Sequence, residues 1–327
     1  MIRANGSYRA PAWLPGGHAQ TIYPILIPRP RISYRRQRLD TPDGDFVDFD
    51  WLDVPGATDQ TPLVVLFHGL ESSSTAHYAL ALMRHIAAIG WRGVVPHFRG
   101  CSGEENRRPR AYHSGDYTEV GWMLATIRAQ APVAPLFAVG VSLGGSALIN
   151  WLGREEHRAR ALVRAAAAVS TPLDLTAAGM AIDQGLNRIY ARYFLQTLVP
   201  KALAMARRFP DALDVAAIRG VDSMYSFDAA VTAPLHGFAS TADYWSRASS
   251  KPWLTAVAVP TLVLNARNDP FIPASSLPDR GQVSDAVTLE QPEAGGHAGF
   301  LELPFPGRFG WLPQRLVAFF GPAALAA

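Results

Sequence analysis

The feature that most constrains this chain is a rhythm of short, β-branched apolar runs that each close on a glycine or turn residue. Leu63–Phe67, Gly93–Phe98 and Leu136–Val141 show it first, Leu162–Val169 and Thr261–Asn265 follow, and Ala286–Gln291 is a weaker sixth. Runs this short without alternation read as strands buried on both faces of a parallel sheet. Helix-period stretches fall between them. Tyr78–Ile89 places Leu82, Ile86 and Ile89 on one face, and Asp116–Ala129 opens with Asp116 and Glu119 at capping-box spacing. Alternation of this kind predicts an α/β fold, a mostly parallel twisted sheet flanked by helices. Arg35–Leu39 and Phe46–Leu52 alternate and flank Thr41-Pro42-Asp43-Gly44, which predicts an antiparallel hairpin at the sheet edge.

The rhythm breaks between about residues 170 and 252. Apolar residues there recur at helical spacing and no strand stands out, so a helical cap inserted into one domain spanning residues 1–327 is expected. There is no internal repeat, low-complexity tract or linker. One cysteine, Cys101, excludes an intramolecular disulfide and any site that needs two thiolates. Thirty basic against 27 acidic residues leave a net charge of +3, and the cations are scattered, so no nucleic-acid partner is expected. Residues 1–17 lack an apolar leader core, and the tail Leu316–Ala327 is too short to cross a bilayer. A cytoplasmic location is the expectation, peripheral membrane or lipid contact stays open, and oligomeric state is not legible.

Gly140-Val141-Ser142-Leu143-Gly144 follows a predicted strand directly and precedes a predicted helix. G-x-S-x-G in that setting is the signature of a nucleophile on a tight turn. The serine projects above the strand ends, side chains two residues away on either side would collide, and the helix N-terminus faces the reacting oxygen. A hydroxyl nucleophile needs a base, and the base needs an orienting acid. His297, in Gly295-Gly296-His297-Ala298-Gly299, lies in a loop too glycine-rich for a packing histidine. Asp269 follows the strand at Thr261–Asn265, which gives the chain order Ser142, Asp269, His297. Asp174, after the strand ending at Val169, is the rival acid. Two N–H donors should hold the developing oxyanion. The amides of Leu143, after the nucleophile, and of Leu70, in the loop after the first core parallel strand, are the candidates. His68, in the same loop, reads as an ordering residue rather than a base.

Further segments join these: Trp13-Leu14-Pro15-Gly16-Gly17-His18-Ala19-Gln20-Thr21, His68-Gly69-Leu70-Glu71, Phe98-Arg99-Gly100-Cys101-Ser102-Gly103, Tyr112-His113-Ser114-Gly115-Asp116, and Asn265-Ala266 with Asp269-Pro270-Phe271. With the serine and histidine motifs they run in order from about residue 13 to residue 300. The chain resembles the YheT-like branch of the α/β-hydrolases, which also holds the animal α/β-hydrolase-domain lipases and the fungal medium-chain ester synthases. The resemblance implies the α/β-hydrolase fold and a serine esterase or lipase with Ser142, Asp269 and His297 as its triad. Two positions depart from it. Ser146 stands where the family often has asparagine, and Asn268 where it often has a second aspartate, which leaves Asp269 as the charged member.

Other groups carry less. Residues 112–116 lack paired metal-ligand spacing and read as a helix start bracing the site, so no metal is expected. Glu104-Glu105 with Arg107, Arg108 and Arg110 reads as a solvated loop, and Cys101 as a structural thiol. No phosphate loop or dinucleotide fingerprint is present, so no cofactor is implied. The reading that follows is a hydrolase of short- to medium-chain acyl esters, monoacylglycerol or other lipid esters included, working through an acyl-enzyme on a small-molecule substrate. Transfer of the acyl group to an alcohol uses the same residues, and a non-catalytic binding protein on the same fold is the alternative from another class. The cap is expected to select the acyl chain through some of Met180, Ile182, Leu186, Tyr190, Phe194, Leu198 and Met224.

Overall fold

A computed structural model describes residues 8–29 and 31–325. Residues 1–7, which belong to the stretch read as lacking a leader core, and the last two residues of the tail lie outside the described residues. Eight strands form one sheet: β1 (Arg35–Asp40), β2 (Phe46–Leu52), β3 (Leu63–Phe67), β4 (Arg92–Pro96), β5 (Leu136–Val141), β6 (Ala165–Val169), β7 (Thr261–Leu264) and β8 (Val287–Glu290). Their order is β1-β2-β4-β3-β5-β6-β7-β8. The β1–β2 and β2–β4 pairs are antiparallel and the others parallel. The hairpin therefore forms the sheet edge, as its turn signal predicts. The residues from Leu162 up to β6 differ from expectation, because Leu162 ends a helix.

Twelve α-helices flank or cap this sheet among the described residues. They are α1 (Gly17–Leu26), α2 (His77–Ala88), α3 (Tyr117–Gln130), α4 (Leu143–Arg154), α5 (Glu156–Leu162), α6 (Leu175–Ile182), α7 (Arg188–Arg208), α8 (Val215–Arg219), α9 (Met224–Phe227), α10 (Ala233–His236), α11 (Thr241–Ala248) and α12 (Trp311–Leu325). Side chains alternate along β3. Leu63, Val65 and Phe67 join the core under α3, α4 and α5, while Val64 and Leu66 join the core under α2 and α12. Burial on both faces explains why these strands read as unbroken apolar runs. Helices α6 to α11 all fall between β6 and β7, and α7, α8 and α9 share an apolar cluster of their own around Leu195, Leu198, Ile218 and Phe227.

Strand β2 departs from simple alternation. All seven of its residues are buried, Asp48 and Asp50 included. The cross-strand register sets Arg36 opposite Asp50 and Arg38 opposite Asp48, and each guanidinium forks onto its carboxylate at 2.7–2.9 Å. The acidic-basic loop after β4 is solvent-exposed, as the sequence suggests, and most of its charges are also paired. Glu104 pairs with Arg38, Arg107 with Asp40, and Arg110 with Asp116. Beneath it the buried Arg99 guanidinium donates to Glu119, Asp43 and Asp45 at 2.8–2.9 Å. Burial, and then the neighbouring Asp116, pushes the Glu119 carboxyl well above the usual carboxylate range.

Removing Arg99 leaves the buried Asp45 without a cation, and leaves Asp43 and Glu119 with only Arg110, at 3.9 and 3.3 Å. Arg99→Leu should destabilise the fold by about 3–5 kcal/mol, read as a fall in the urea midpoint with little change in slope. A loss below about 1 kcal/mol, the range of an exposed pair, would show that the cluster is not held as one unit.

Candidate functional site

Parallel pairing brings the carboxyl ends of β3, β5, β6 and β7 to one edge, with Phe67 opposite Gly140, Val141 opposite Val169, and Val169 opposite Leu264. The turns beyond these strands carry the predicted site residues. Ser142 lies between β5 and α4 with φ 54° and ψ −124°, a left-handed backbone that non-glycine residues adopt only under constraint. The constraint is visible. Ser142 N–H donates to the Val169 carbonyl at 2.9 Å, and a Cβ on Gly144 would lie 2.4 Å from the Phe67 carbonyl oxygen. The turn is thus seated on the ends of both neighbouring strands.

His297 stands across from it. Its Nε2 is 2.9 Å from Ser142 Oγ, and its Nδ1 is 2.8 Å from Asp269 Oδ2. The other Asp269 oxygen accepts from Phe271 N–H at 2.8 Å, so the carboxylate is fixed on both sides. Ser142, His297 and Asp269 are therefore brought together. Asp174 is elsewhere: it caps α6, accepting from Ala177 N–H at 3.0 Å. Leu70 and Leu143 border the same cavity as Ser142 and His297, and among the described residues neither amide has a protein acceptor. His68 orders its loop. Nδ1 bonds the Gly69 carbonyl at 2.8 Å, Nε2 accepts from Phe98 N–H at 3.1 Å, and burial, then His97, pushes its pKa down to about 3.

Residues 62–304 match the family model described as alpha/beta hydrolase fold. The chain belongs to the α/β-hydrolase family. This hydrolase is 38% identical over 302 residues to YheT of Escherichia coli, which carries the name of an esterase, across 91% of this chain and 88% of that one. It is 29% identical to the human phospholipase ABHD3, across 92% of this chain and 75% of that one. The solved structure of Est1E from Butyrivibrio proteoclasticus with bound ferulic acid shares the fold, with a TM-score of 0.57 at 16% identity, covering 89% of this chain and 100% of that one.

The hydrolase holds its histidine loop with residues that motif reasoning left without a role. Thr21, on α1, accepts from the His297 amide at 2.9 Å. Gln20 Oε1 accepts from Gly295 N–H at 2.8 Å and from the Asn268 side-chain amide at 3.0 Å, while its own amide donates to the Leu14 carbonyl. A Cβ on Gly17 would fall 1.9 Å from the Asn268 carbonyl oxygen, so α1 lies directly on the Asp269 turn. Ser170 Oγ accepts from Ala298 N–H, and His77 bonds the Ala298 carbonyl, both at 2.9 Å. The quoted segment from Trp13 to Thr21 was the only signal for this clamp. A second brace reaches the loop of Leu70. Glu71, with φ 51°, is held by Tyr112, whose hydroxyl accepts from the Glu71 amide and donates to its carboxylate, and by Lys201 of α7 at 2.7 Å.

A cavity of about 170 Å³ opens onto Ser142. Pro172, Ala178, Ile182, Phe194, Leu198 and Met224 line it, whereas Met180 and Leu186 are exposed and the Tyr190 ring packs on Phe271. Asp228 is its buried polar spot. It accepts from the Thr232 hydroxyl at 2.6 Å and the Trp245 indole at 2.7 Å, and burial pushes it up to about 6. Cys101 is half-buried, and its thiol is pushed up to about 12 by desolvation and then by Glu71. Among the described residues no group of three or more His, Cys, Asp or Glu side chains could hold a metal ion, and no helix is long and apolar enough to cross a membrane.

Gln20→Met keeps the volume but leaves the Gly295 amide buried and unpaired, at a cost of about 1–3 kcal/mol. Release of the histidine loop should lower ester turnover by about tenfold to a hundredfold. Steady-state kinetics beside a melting curve checks this, and full turnover in a destabilised variant would show that α1 supports the fold but not the site.

Proposed function

We propose that this protein is a serine carboxylic-ester hydrolase that forms an acyl-enzyme on Ser142. The observation that carries the proposal is the unbroken chain from Ser142 Oγ through the His297 ring to Asp269, facing an apolar cavity. Ser142 Oγ attacks the ester carbonyl carbon while His297 Nε2 takes the hydroxyl proton. Asp269 keeps the Nδ1 proton in place and balances the imidazolium. The Leu70 and Leu143 amides receive the oxyanion. Collapse breaks the ester C–O bond, and His297 passes its proton to the departing alkoxide. A water then gives a proton to His297 and attacks the acyl carbon, and the returning proton frees Ser142 and the carboxylic acid.

The esterase and phospholipase names of the relatives agree with an ester or lipid substrate. The helices between β6 and β7 act as a cap whose apolar residues read the acyl chain. Each buried methylene contributes about 0.8 kcal/mol, so the shape of a small cavity selects chain length. Short- to medium-chain acyl esters suit the cavity.

Ser142→Ala should abolish fluorophosphonate labelling and lower ester turnover by about a thousandfold or more. Activity that survives in the purified variant would remove Ser142 as the nucleophile. Asp269→Asn should lower turnover by about ten-thousandfold, while Asp174→Asn costs at most a helix cap. The reverse ranking would transfer the acid role to Asp174. Ala178→Leu should narrow the cavity and shorten the preferred p-nitrophenyl ester while leaving acetate turnover nearly unchanged. An unaltered chain-length profile in a folded variant would show that the cap does not select.

A further inference from the structure

Exposed apolar surface is unevenly spread on this protein. Eight of the twelve large apolar side chains left exposed among the described residues come from three short stretches of chain. Helix α1 presents Ile22, Ile25 and Leu26, and α7 with the turn before it presents Leu186, Ile189 and Tyr193. The loop before α12 adds Leu303 and Phe305. These stretches are neighbours. The His18 ring of α1 stacks on the Tyr190 ring of α7 at 5.8 Å, and Trp13 meets Tyr23 and Phe305 edge-on at 5.2 and 5.3 Å.

Their charge is one-sided. Residues 11–39, 184–210 and 303–325 contain no Asp or Glu. Arg29, Arg188, Arg192 and Arg308 are exposed among them. Two of the flanking acids are occupied: Asp183 accepts from the Met224 and Tyr225 amides, and Glu302 turns toward the Trp311 and Gly310 amides. The shape is also informative. Leu26, Leu186 and Phe305 are 72, 70 and 71% exposed, so they project as separate tips rather than line a groove. Projecting apolar tips set among arginines suit a fluid, anionic, apolar-cored partner.

We propose that the face formed by α1, the start of α7 and the loop before α12 docks on an anionic lipid bilayer. The apolar tips enter the headgroup boundary and the arginines meet the lipid phosphates. The same face borders the site, because Tyr190 packs on Phe271 at 4.6 Å and Phe271 on the His297 ring at 4.2 Å. An ester resident in the bilayer would therefore be presented at the wall of the Ser142 cavity. The docking itself does not rest on the catalytic reading.

Sedimentation with vesicles tests it. Vesicles of phosphatidylcholine containing a minority of phosphatidylglycerol should bind the protein about tenfold more strongly than phosphatidylcholine alone, and added salt should weaken the binding. Two double variants, Leu26→Glu with Phe305→Glu and Arg188→Glu with Arg192→Glu, should each lower binding about tenfold. Their circular dichroism and their turnover of a water-soluble ester should match the parent, and the spectrum alone certifies the fold if that ester is not a substrate. No binding to the anionic vesicles at low salt, or equal binding by the folded variants, overturns the proposal. So does a parent dimer that the Leu26→Glu, Phe305→Glu variant dissociates in size-exclusion chromatography, since a second copy would then cover this face.

Discussion

The left-handed backbone of Ser142 is the constraint on which the rest of the site depends. A serine at φ 54° relaxes unless its surroundings forbid the alternative. Here they do, because the turn is wedged between the Phe67 and His68 carbonyls at the end of β3 and the Val169 carbonyl at the end of β6. Gly144 can approach that closely only without a Cβ. The strain, on the order of 1–3 kcal/mol, is met by the pairing of β5 with both neighbours, the most deeply buried part of the sheet. The position of the hydroxyl is thus a property of strand register and of no single contact.

The partners of Ser142 are held by a different principle. Asp269 and His297 lie on irregular turns after β7 and β8, where no ladder of backbone bonds fixes them. Ala298 and Phe300 also take left-handed angles, φ 57° and 42°. What fixes these turns is side-chain acceptors aimed at their amides: Gln20 to Gly295, Thr21 to His297, Ser170 to Ala298. A buried unpaired amide costs about 1–3 kcal/mol, so each acceptor selects one loop conformation. Packing sets the serine, and hydrogen bonding from α1 and from the end of β6 sets the histidine.

This difference explains what could be read in the sequence. Strand identity was legible because burial on both faces leaves unbroken apolar runs, and the edge hairpin because its turn chemistry is local. Ser142 was legible because its strain demands glycines at fixed offsets. The α1 clamp was not, since Gln20 bonds Gly295 across 275 residues and no periodicity encodes such a partner. The buried Asp48 and Asp50 were missed for a related reason: alternation identified β2, but only the register with β1 shows that Arg36 and Arg38 bring their charges to cover it. Asp174 and Asp269 remained rivals in sequence because both follow parallel strands. In the structure the two are used differently, Asp174 capping a helix and Asp269 bonded to the His297 ring.

Helix α7 joins these separate requirements. Tyr190 stacks on His18 and packs on Phe271, Phe194 and Leu198 line the cavity, and Lys201 meets Glu71 beside the Leu70 amide. Lys201 is 46% exposed, so this ion pair contributes little net stability, within about 1 kcal/mol. Its effect is geometric. Glu71 is already committed to Tyr112 through both its amide and its carboxylate, and Tyr112 stacks on the buried Phe98 ring at 5.3 Å. The cation therefore ties α7 to a loop that is itself anchored in the sheet. A shift of α7 along its axis would alter the cavity wall, the contact with α1 and the Glu71 pair together. One helix thus touches the cavity wall, α1 and the Glu71 loop, and another of its faces carries the exposed apolar side chains Ile189 and Tyr193.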